Sequence, residues 1–110
     1  MAKTYQEVYD LSQQITKDVA QSPQSWMLYL DTASRMYRYS FQDQLLIHAQ
    51  KPEATACATF ALWNSRFNRV VKAGTRGIAL IDQHSERPRL NYVFDVGDTV
   101  KRIGGKNPYP

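Results

Sequence analysis

The first half of the chain places apolar residues at steps of three and four between polar ones, which is the spacing of amphipathic helices. Thr4 and Glu7 have the spacing of a capping box, in which each side chain satisfies a backbone N–H at a helix start. The pattern therefore predicts a first helix over about residues 5–20. The positions expected to face the core are Tyr5, Val8, Leu11, Ile15 and Val19.

Two further helices are predicted before residue 52. Ser22-Pro23 supplies an N-cap residue and a proline at the first helical position. The face of this second helix that is expected to be buried consists of Trp26, Leu30, Ala33 and Tyr37. Ser40, with Asp43 three positions later, opens a third helix, and Lys51-Pro52 ends it because the residue before a proline disfavours helical backbone. Its expected core contacts are Leu45, Leu46 and Ala49.

The periodicity changes in the second half of the chain. A fourth, shorter helix over about 58–66 is predicted from aromatic residues that recur at i, i+3 and i+7. Beyond it, short apolar runs at 70–71 and 78–81 flank a Gly74–Gly77 turn and indicate a β-hairpin. Residues 90–96 alternate like a half-buried strand. The expected fold is α+β, with about four N-terminal helices followed by a small antiparallel sheet of about three strands.

A chain of 110 residues forms one domain with a single core. The domain is expected to cover residues 1–103, and residues 104–110, with their glycines and prolines, are expected to be a linker or a disordered tail. No run approaches the roughly 18 apolar residues of a membrane span. The single cysteine, Cys57, suits a reducing compartment. We therefore expect a cytoplasmic location without membrane contact.

Positive charge is concentrated in the second half of the chain. Residues 1–50 carry four basic and five acidic side chains, a net of −1, and residues 51–110 carry ten basic and five acidic ones, a net of +5, which together give +4. No acidic residue occurs between Glu53 and Asp82. The basic residues of that stretch are Arg66, Arg69, Lys72 and Arg76. A polyanion is expected to bind there.

Residues suited to metal binding or catalysis are few and scattered. His48 and His84 stand alone, and Cys57 has no partner at metal-ligand spacing. Asp95 and Asp98 follow a predicted strand, where turn chemistry explains them better than acid–base catalysis does. The sequence therefore predicts no metal, no cofactor, no small-molecule substrate and no enzymatic activity.

Two local features suit a nucleic-acid strand. The segment Lys72-x-Gly74-x-x-Gly77 can approach a phosphate backbone, as the G-x-x-G loop of KH domains does, or its glycines can simply supply positive φ at a hairpin turn. Aromatic rings offer platforms for bases. Tyr37 and Tyr39, beside Arg35 and Arg38, are expected to be an exposed stacking pair. Trp63 is expected to be buried for the most part, with a partner for its indole N–H.

Five segments of the chain, taken in order, form a recognisable set. They are YSFQDQLLIHAQ at 39–50, KPxAT at 51–55, WNxR at 63–66, VKxGxxGI at 71–78 and YVFDV at 92–96. Together they resemble the N-terminal single-stranded-DNA-binding domain of ArdC-type antirestriction proteins. Similar domains head the large helicase- and methylase-like polypeptides of bacterial conjugative elements. The resemblance runs from about Tyr5 to Thr99.

The resemblance implies a sequence-tolerant single-stranded-DNA-binding module of a larger mobile-element protein. In full-length ArdC-type proteins a metallopeptidase-like domain with a His-Glu-x-x-His motif follows, and this chain contains no such motif, so no zinc or protease activity is implied. The residues expected to contact DNA are Tyr37, Arg38, Tyr39, Trp63, Arg66, Arg69, Lys72, Gly74, Arg76 and Gly77. If the four cations of the acid-free stretch all bind phosphates, log affinity falls against log salt with a slope of about −2.8, at roughly −0.7 per single-strand phosphate.

The alternative is a non-catalytic docking domain that keeps the fold without binding DNA. Its partners would be proteins, among them other domains of the same polypeptide. In that case Arg66 and Arg69 are expected to pair with acidic residues of the first half of the chain, which would neutralise the basic stretch.

Overall fold

The computed structural model of this protein describes residues 3–102. The helices are α1 (Tyr5–Val19), α2 (Pro23–Arg35), α3 (Phe41–Gln50) and α4 (Phe60–Ser65). The strands are β1 (Cys57–Ala58), β2 (Arg69–Val71), β3 (Ile78–Ile81), β4 (Leu90–Asp95) and β5 (Thr99–Lys101), with a 3₁₀ turn at Val96–Asp98. The predicted α+β class is confirmed, although the two-residue strand β1 precedes α4.

Side-chain caps begin the helices where the sequence predicted them. Thr4 Oγ1 accepts a hydrogen bond from the Glu7 N–H at 3.2 Å. Ser22 and Ser40 cap α2 and α3 in the same way. The fourth helix is shorter than predicted because Thr59, and not an earlier residue, provides its cap. Since a capping side chain stabilises a helix by about 1 kcal/mol, these residues fix the boundaries.

The core lies between α3 and the antiparallel sheet and is completed by α1. Leu46 and Ile47 of α3 are fully buried, as is Val8 of α1. They contact the buried strand residues Ile78, Ala79, Leu80 and Val93. The predicted core positions of α1 and α3 are thus largely confirmed, and this layer holds the C-terminal end of α2 in place through Met36.

The second helix buries a different face from the predicted one. Tyr29 and Thr32 are 2% and 1% exposed, whereas Trp26, expected in the core, is 42% exposed. Both buried residues carry hydroxyl groups that bond to α3: Tyr29 Oη donates to Gln44 Oε1 at 2.9 Å, and Thr32 Oγ1 lies 2.8 Å from His48 Nδ1. Tyr29 also packs against Val19 and Leu45, so apolar contacts and the two hydroxyl groups together orient α2.

The strands form two sheets instead of one. One is three-stranded in the order β1-β4-β3, the other pairs β2 with β5, and all pairs are antiparallel. The predicted hairpin is therefore wrong, because the strands on either side of the Gly74–Gly77 connection do not pair with each other. The Lys72 N–H donates to Asp98 O at 2.8 Å and so continues the pairing of β2 with β5. The connection then carries the chain across to the other sheet.

Two further expectations concern the C-terminal linker and membrane contact. The predicted linker, residues 104–110, lies outside the described residues. Within residues 3–102 no helix has both the length and the apolar character needed to cross a membrane.

Candidate nucleic-acid interface

A groove of about 570 Å³ lies between the turn that follows α2 and the short helix α4. Its walls come from the segments 35–39, 55–58 and 62–67. Among the described residues its lining includes Arg35, Arg38 and Arg66 and no carboxylate. A concave surface lined by one sign of charge attracts ligands of the opposite sign. The groove is therefore suited to a polyanion.

One wall of the groove is shaped by a buried carboxylate behind it. Asp95 is 6% exposed, and its Oδ1 accepts hydrogen bonds from the N–H groups of Thr55 and Ala56 at 2.8 and 3.1 Å. Its Oδ2 accepts from Gly97 N–H at 3.1 Å. These bonds hold the 55–56 backbone against the end of β4. The predicted turn role of Asp95 is confirmed, and this residue also positions the groove.

The turn after α2 presents one aromatic ring and one cation to solvent. Met36 is buried and anchors the turn, and Tyr39 N–H donates to its carbonyl at 3.0 Å. Tyr37 is 71% exposed, and the Arg38 guanidinium carbon lies 5.7 Å from the centre of the Tyr37 ring. An exposed ring beside a cation can stack on a base while the cation approaches a phosphate. The exposed ring expected for Tyr37 beside Arg38 is found, whereas the expectation that Tyr37 lies on the buried face of the second helix is wrong.

The other two predicted stacking residues are not available to bases. Trp63 is 1% exposed, and its indole N–H donates to Phe94 O at 2.8 Å, so the expected burial and hydrogen-bond partner are both found. Tyr39 is half-buried, its hydroxyl donates to Cys57 O at 2.8 Å, and burial raises its pKa above the usual value. Both residues form the floor of the groove and hold its walls together. Phe60, the first of the three aromatic residues whose spacing predicted the fourth helix, is 56% exposed.

The basic residues of the acid-free stretch have different environments. Arg66 is exposed at the groove, and its guanidinium forms no ion pair within residues 3–102. Arg69 is half-buried, and its Nε donates to Thr99 Oγ1 at 2.7 Å, so it supports the pairing of β2 with β5. Neither arginine pairs with an acidic residue of the first half, so that expectation of the docking alternative is wrong. Arg66 is free to bind an anion, and Arg69 is a structural residue.

The other residues that were expected to contact DNA lie on the connection between β2 and β3, outside the groove lining. Lys72 and Arg76 are exposed, and Lys72 Nζ donates to Gly97 O at 3.3 Å. Gly74 has a φ of 80° and open space around it, which fits a turn in the left-handed region. A Cβ at Gly77 would lie 3.0 Å from Tyr92 Cδ1, so close packing on β4 accounts for this glycine.

One charged residue of the groove, Arg35, was noted beside the tyrosine pair but was not among the residues expected to contact DNA. Arg35 forms an ion pair with Asp31 at 2.6 Å, and it donates to Ala54 O and Pro52 O at 2.8 and 2.7 Å. It therefore ties the segment before β1 to α2. The spacing of Asp31 and Arg35 on one helix face is visible in the sequence, but the two carbonyl partners come from a distant loop that no pattern predicts.

His48 and Asp98, which the sequence offers as possible metal-binding or catalytic residues, form contacts within the fold. Burial raises the pKa of the Cys57 thiol to about 12, which keeps it protonated and unreactive at neutral pH. His48 Nδ1 lies 2.8 Å from Thr32 Oγ1. Asp98 forms an ion pair with Lys51 at 2.6 Å. In the described part of the chain no group of three or more His, Cys, Asp or Glu side chains could hold a metal ion.

Comparison with protein-family models, with curated proteins and with solved structures gives no match to this chain. The resemblance to ArdC-type domains therefore depends on the residues and motifs of the sequence alone.

Proposed function

We propose that this domain binds single-stranded DNA in the groove between the α2–α3 turn and α4. The observation that carries the proposal is the groove lining, which combines Arg38 and Arg66 with no carboxylate among the described residues, beside the exposed ring of Tyr37. Arginine guanidinium groups bind phosphates, and a solvent-exposed ring stacks on an unpaired base whatever its identity. The binding is thus expected to be largely sequence-tolerant.

The arrangement suits a single strand better than a duplex. In a duplex the bases are stacked on each other and their faces are not accessible to Tyr37. A single strand can place phosphates along Arg38 and Arg66 while one of its bases stacks on the ring. By resemblance to ArdC-type domains, we propose that the module works in the cytoplasm as part of a larger mobile-element protein and has no catalytic role of its own.

A docking domain is the second candidate, and one observation favours it. The outer face of α2 carries apolar side chains that the fold does not cover: Met27 and Leu28 are 67% and 66% exposed, beside the half-exposed Trp26. A contiguous exposed apolar patch often marks a protein-contact site. In this alternative the groove has no ligand, and other domains of the polypeptide cover α2.

The deciding experiment is a fluorescence-anisotropy titration of a labelled oligothymidine at several salt concentrations. With Arg38 and Arg66 as the phosphate contacts, we expect a log–log slope of about −1.4, from roughly −0.7 per single-strand phosphate. An unlabelled duplex of the same length should compete poorly. The double variant Arg38→Gln/Arg66→Gln should lose the salt-dependent binding. If wild type and double variant give the same flat titration at low salt, the docking alternative replaces this proposal.

A further inference from the structure

Three aromatic side chains outside the groove lining form a row at the surface of the three-stranded sheet. Tyr92 and Phe94 alternate along β4 with the buried residues Val93 and Asp95, so both point to the opposite face of the strand. Phe60, the first residue of α4, packs its ring at 72° to that of Phe94, with the ring centres 6.4 Å apart. Phe60 and Tyr92 are exposed, and Phe94 is half-buried.

The neighbours of the two β4 rings across the sheet are all small. Ala58 pairs with Phe94, and Ala79 pairs with Tyr92. Gly77 packs against both rings: a Cβ on it would lie 3.0 Å from Tyr92 Cδ1 and 3.2 Å from Phe94 Cζ. Aromatic side chains on a sheet usually pack against large cross-strand partners, which cover part of the ring. Alanine and glycine provide no such cover, so the row stays open to a ligand.

The surroundings of the row are cationic. Arg76 directly precedes Gly77 and is exposed, and Tyr92 Oη lies 3.5 Å from the carbonyl oxygen of Lys3. Neither cation forms an ion pair within residues 3–102. No acidic residue occurs in α4 or in the connection before β3, and Asp95, the only one of β4, is buried on the opposite face. Cations beside open rings suit a ligand that combines phosphates with flat bases.

We propose that this row, formed by Phe60, Phe94 and Tyr92, is a second base-stacking surface for the strand that occupies the groove. Phe60 and Tyr92 stack on bases, Phe94 supports Phe60 through the contact between their rings, and Arg76 contacts a phosphate. Known single-strand-binding domains use a sheet in this way, with aromatic side chains of one face stacking on successive bases. The inference rests on the proposed binding of single-stranded DNA and lengthens its binding site.

The row adjoins the groove, so one strand can reach both. Ala58 and Trp63 belong to the groove lining. Ala58 is also the β-sheet partner of Phe94, and the indole N–H of Trp63 donates to Phe94 O at 2.8 Å. Phe60 lies one turn before Trp63 on α4. A strand that leaves the groove at the start of α4 therefore meets the row next.

The test compares labelled oligothymidines of about 4 and about 16 nucleotides, the limits of the usual site sizes of single-strand-binding domains. The short strand is expected to bind in the groove, and the long strand in the groove and on the row. Phe60→Ala should weaken binding of the long strand about fivefold or more, the smaller contribution of one base–aromatic stack, and leave that of the short strand unchanged. With Arg76 as a third phosphate contact, the log–log salt slope should steepen from about −1.4 for the short strand to about −2.1 for the long one.

Phe41→Ala is the matched control. Phe41 is also 56% exposed and is also the first residue of a helix with a side-chain cap, but it lies outside the row and the groove lining. The same substitution there should leave the affinity for both strands at the wild-type value.

A cross-linking measurement on the wild-type protein requires no variant. A long strand with bromodeoxyuridine in place of thymidine is irradiated on the protein, and mass spectrometry identifies the attached residues. Cross-links are expected at Phe60 or Tyr92 as well as at Tyr37.

The outcomes separate this inference from the function on which it rests. Equal affinities of Phe60→Ala and Phe41→Ala for the long strand would overturn the row and leave the groove proposal standing, as would cross-links confined to Tyr37. An equal loss for both strands in Phe60→Ala would also overturn it, because the ring would then act within the groove site. Binding of neither strand by the wild-type protein would overturn both proposals.

Discussion

The side-chain amide of Gln50 forms two hydrogen bonds with the backbone of Ala79. It thereby takes the place of a neighbouring strand. Gln50 Nε2 donates to Ala79 O at 2.9 Å, and Ala79 N–H donates to Gln50 Oε1 at 2.9 Å. Strand β3 is an edge of the three-stranded sheet, and edge strands expose unpaired backbone groups. On the opposite edge, Tyr39 Oη donates to Cys57 O in β1. Side chains thus satisfy backbone groups at both edges of this sheet.

The first prediction concerns this contact. Gln50→Ala should lower the free energy of unfolding by about 2 to 3 kcal/mol, because it leaves a buried N–H and a buried carbonyl without partners. Ala79 is 0% exposed, so water does not replace the lost amide unless the edge opens. Urea denaturation followed by circular dichroism measures the change. Gln13→Ala, at an exposed position of α1, is the control and should be neutral. A loss no larger than that of the control would mean that the Gln50 amide does not stabilise the edge.

The sequence predicted the helices well because their signals are local. The capping pair Thr4 and Glu7 and the N-cap Ser22 each lie within one turn of the backbone groups that they serve. Signals of this kind can be read from spacing alone.

The pairing of the strands could not be read in the same way. Val71 pairs with Thr99 of β5, and Ile78 pairs with Val93 of β4, so the partners are distant in sequence. A glycine turn between two apolar runs is equally compatible with a hairpin and with a crossing from one sheet to another. The roles of Arg66 and Arg69 diverge for the same reason: the Thr99 partner that occupies Arg69 lies thirty positions away in the sequence.

The contrast between these two arginines gives the second prediction. Arg66→Gln should reduce the magnitude of the log–log salt slope of DNA binding by about 0.7, the contribution of one single-strand phosphate, and leave stability unchanged. Arg69→Gln should leave the slope unchanged and lower stability, because it removes the bonds to Thr99 Oγ1 and Thr99 O. Each variant is the other's control, since the chemical change is identical. A slope in Arg66→Gln equal to that of the wild type would mean that Arg66 does not contact a phosphate.

The third prediction tests Tyr37 as the stacking platform. Tyr37→Ala should weaken DNA binding by about 1 to 3 kcal/mol, the usual contribution of one base–aromatic stack. The free energy of unfolding should not fall, because the side chain is 71% exposed. Tyr37→Phe keeps the ring and is the matched control, with affinity expected to equal that of the wild type. Anisotropy titrations at one salt concentration compare the three proteins. If Tyr37→Phe loses as much affinity as Tyr37→Ala, the hydroxyl and not the ring carries the interaction.

The fourth prediction concerns the stability of the fold in mild acid. Burial lowers the pKa of His48 from its ordinary value of 6.5, and the nearby Arg35 guanidinium lowers it further. The Nδ1 of His48 lies 2.8 Å from Thr32 Oγ1 between α3 and α2. As the pH falls below 6.5, the unfolded chain therefore takes up a proton more readily than the folded one does. Stability is highest above that pH and should fall through the window between 6.5 and the lower folded-state pKa.

His48→Asn is the variant that tests this origin. Its side-chain oxygen can accept a hydrogen bond from Thr32 at about the position of Nδ1, and it does not titrate. Urea unfolding at about pH 7.5 and about pH 5.5 spans the region in which an ordinary histidine titrates. The wild-type protein should lose stability between the two values, and the variant should lose markedly less. Asp43, whose pKa burial raises, acts with the opposite sign and would stabilise the fold on acidification. An equal loss in the wild type and in His48→Asn would assign the acid sensitivity to another group.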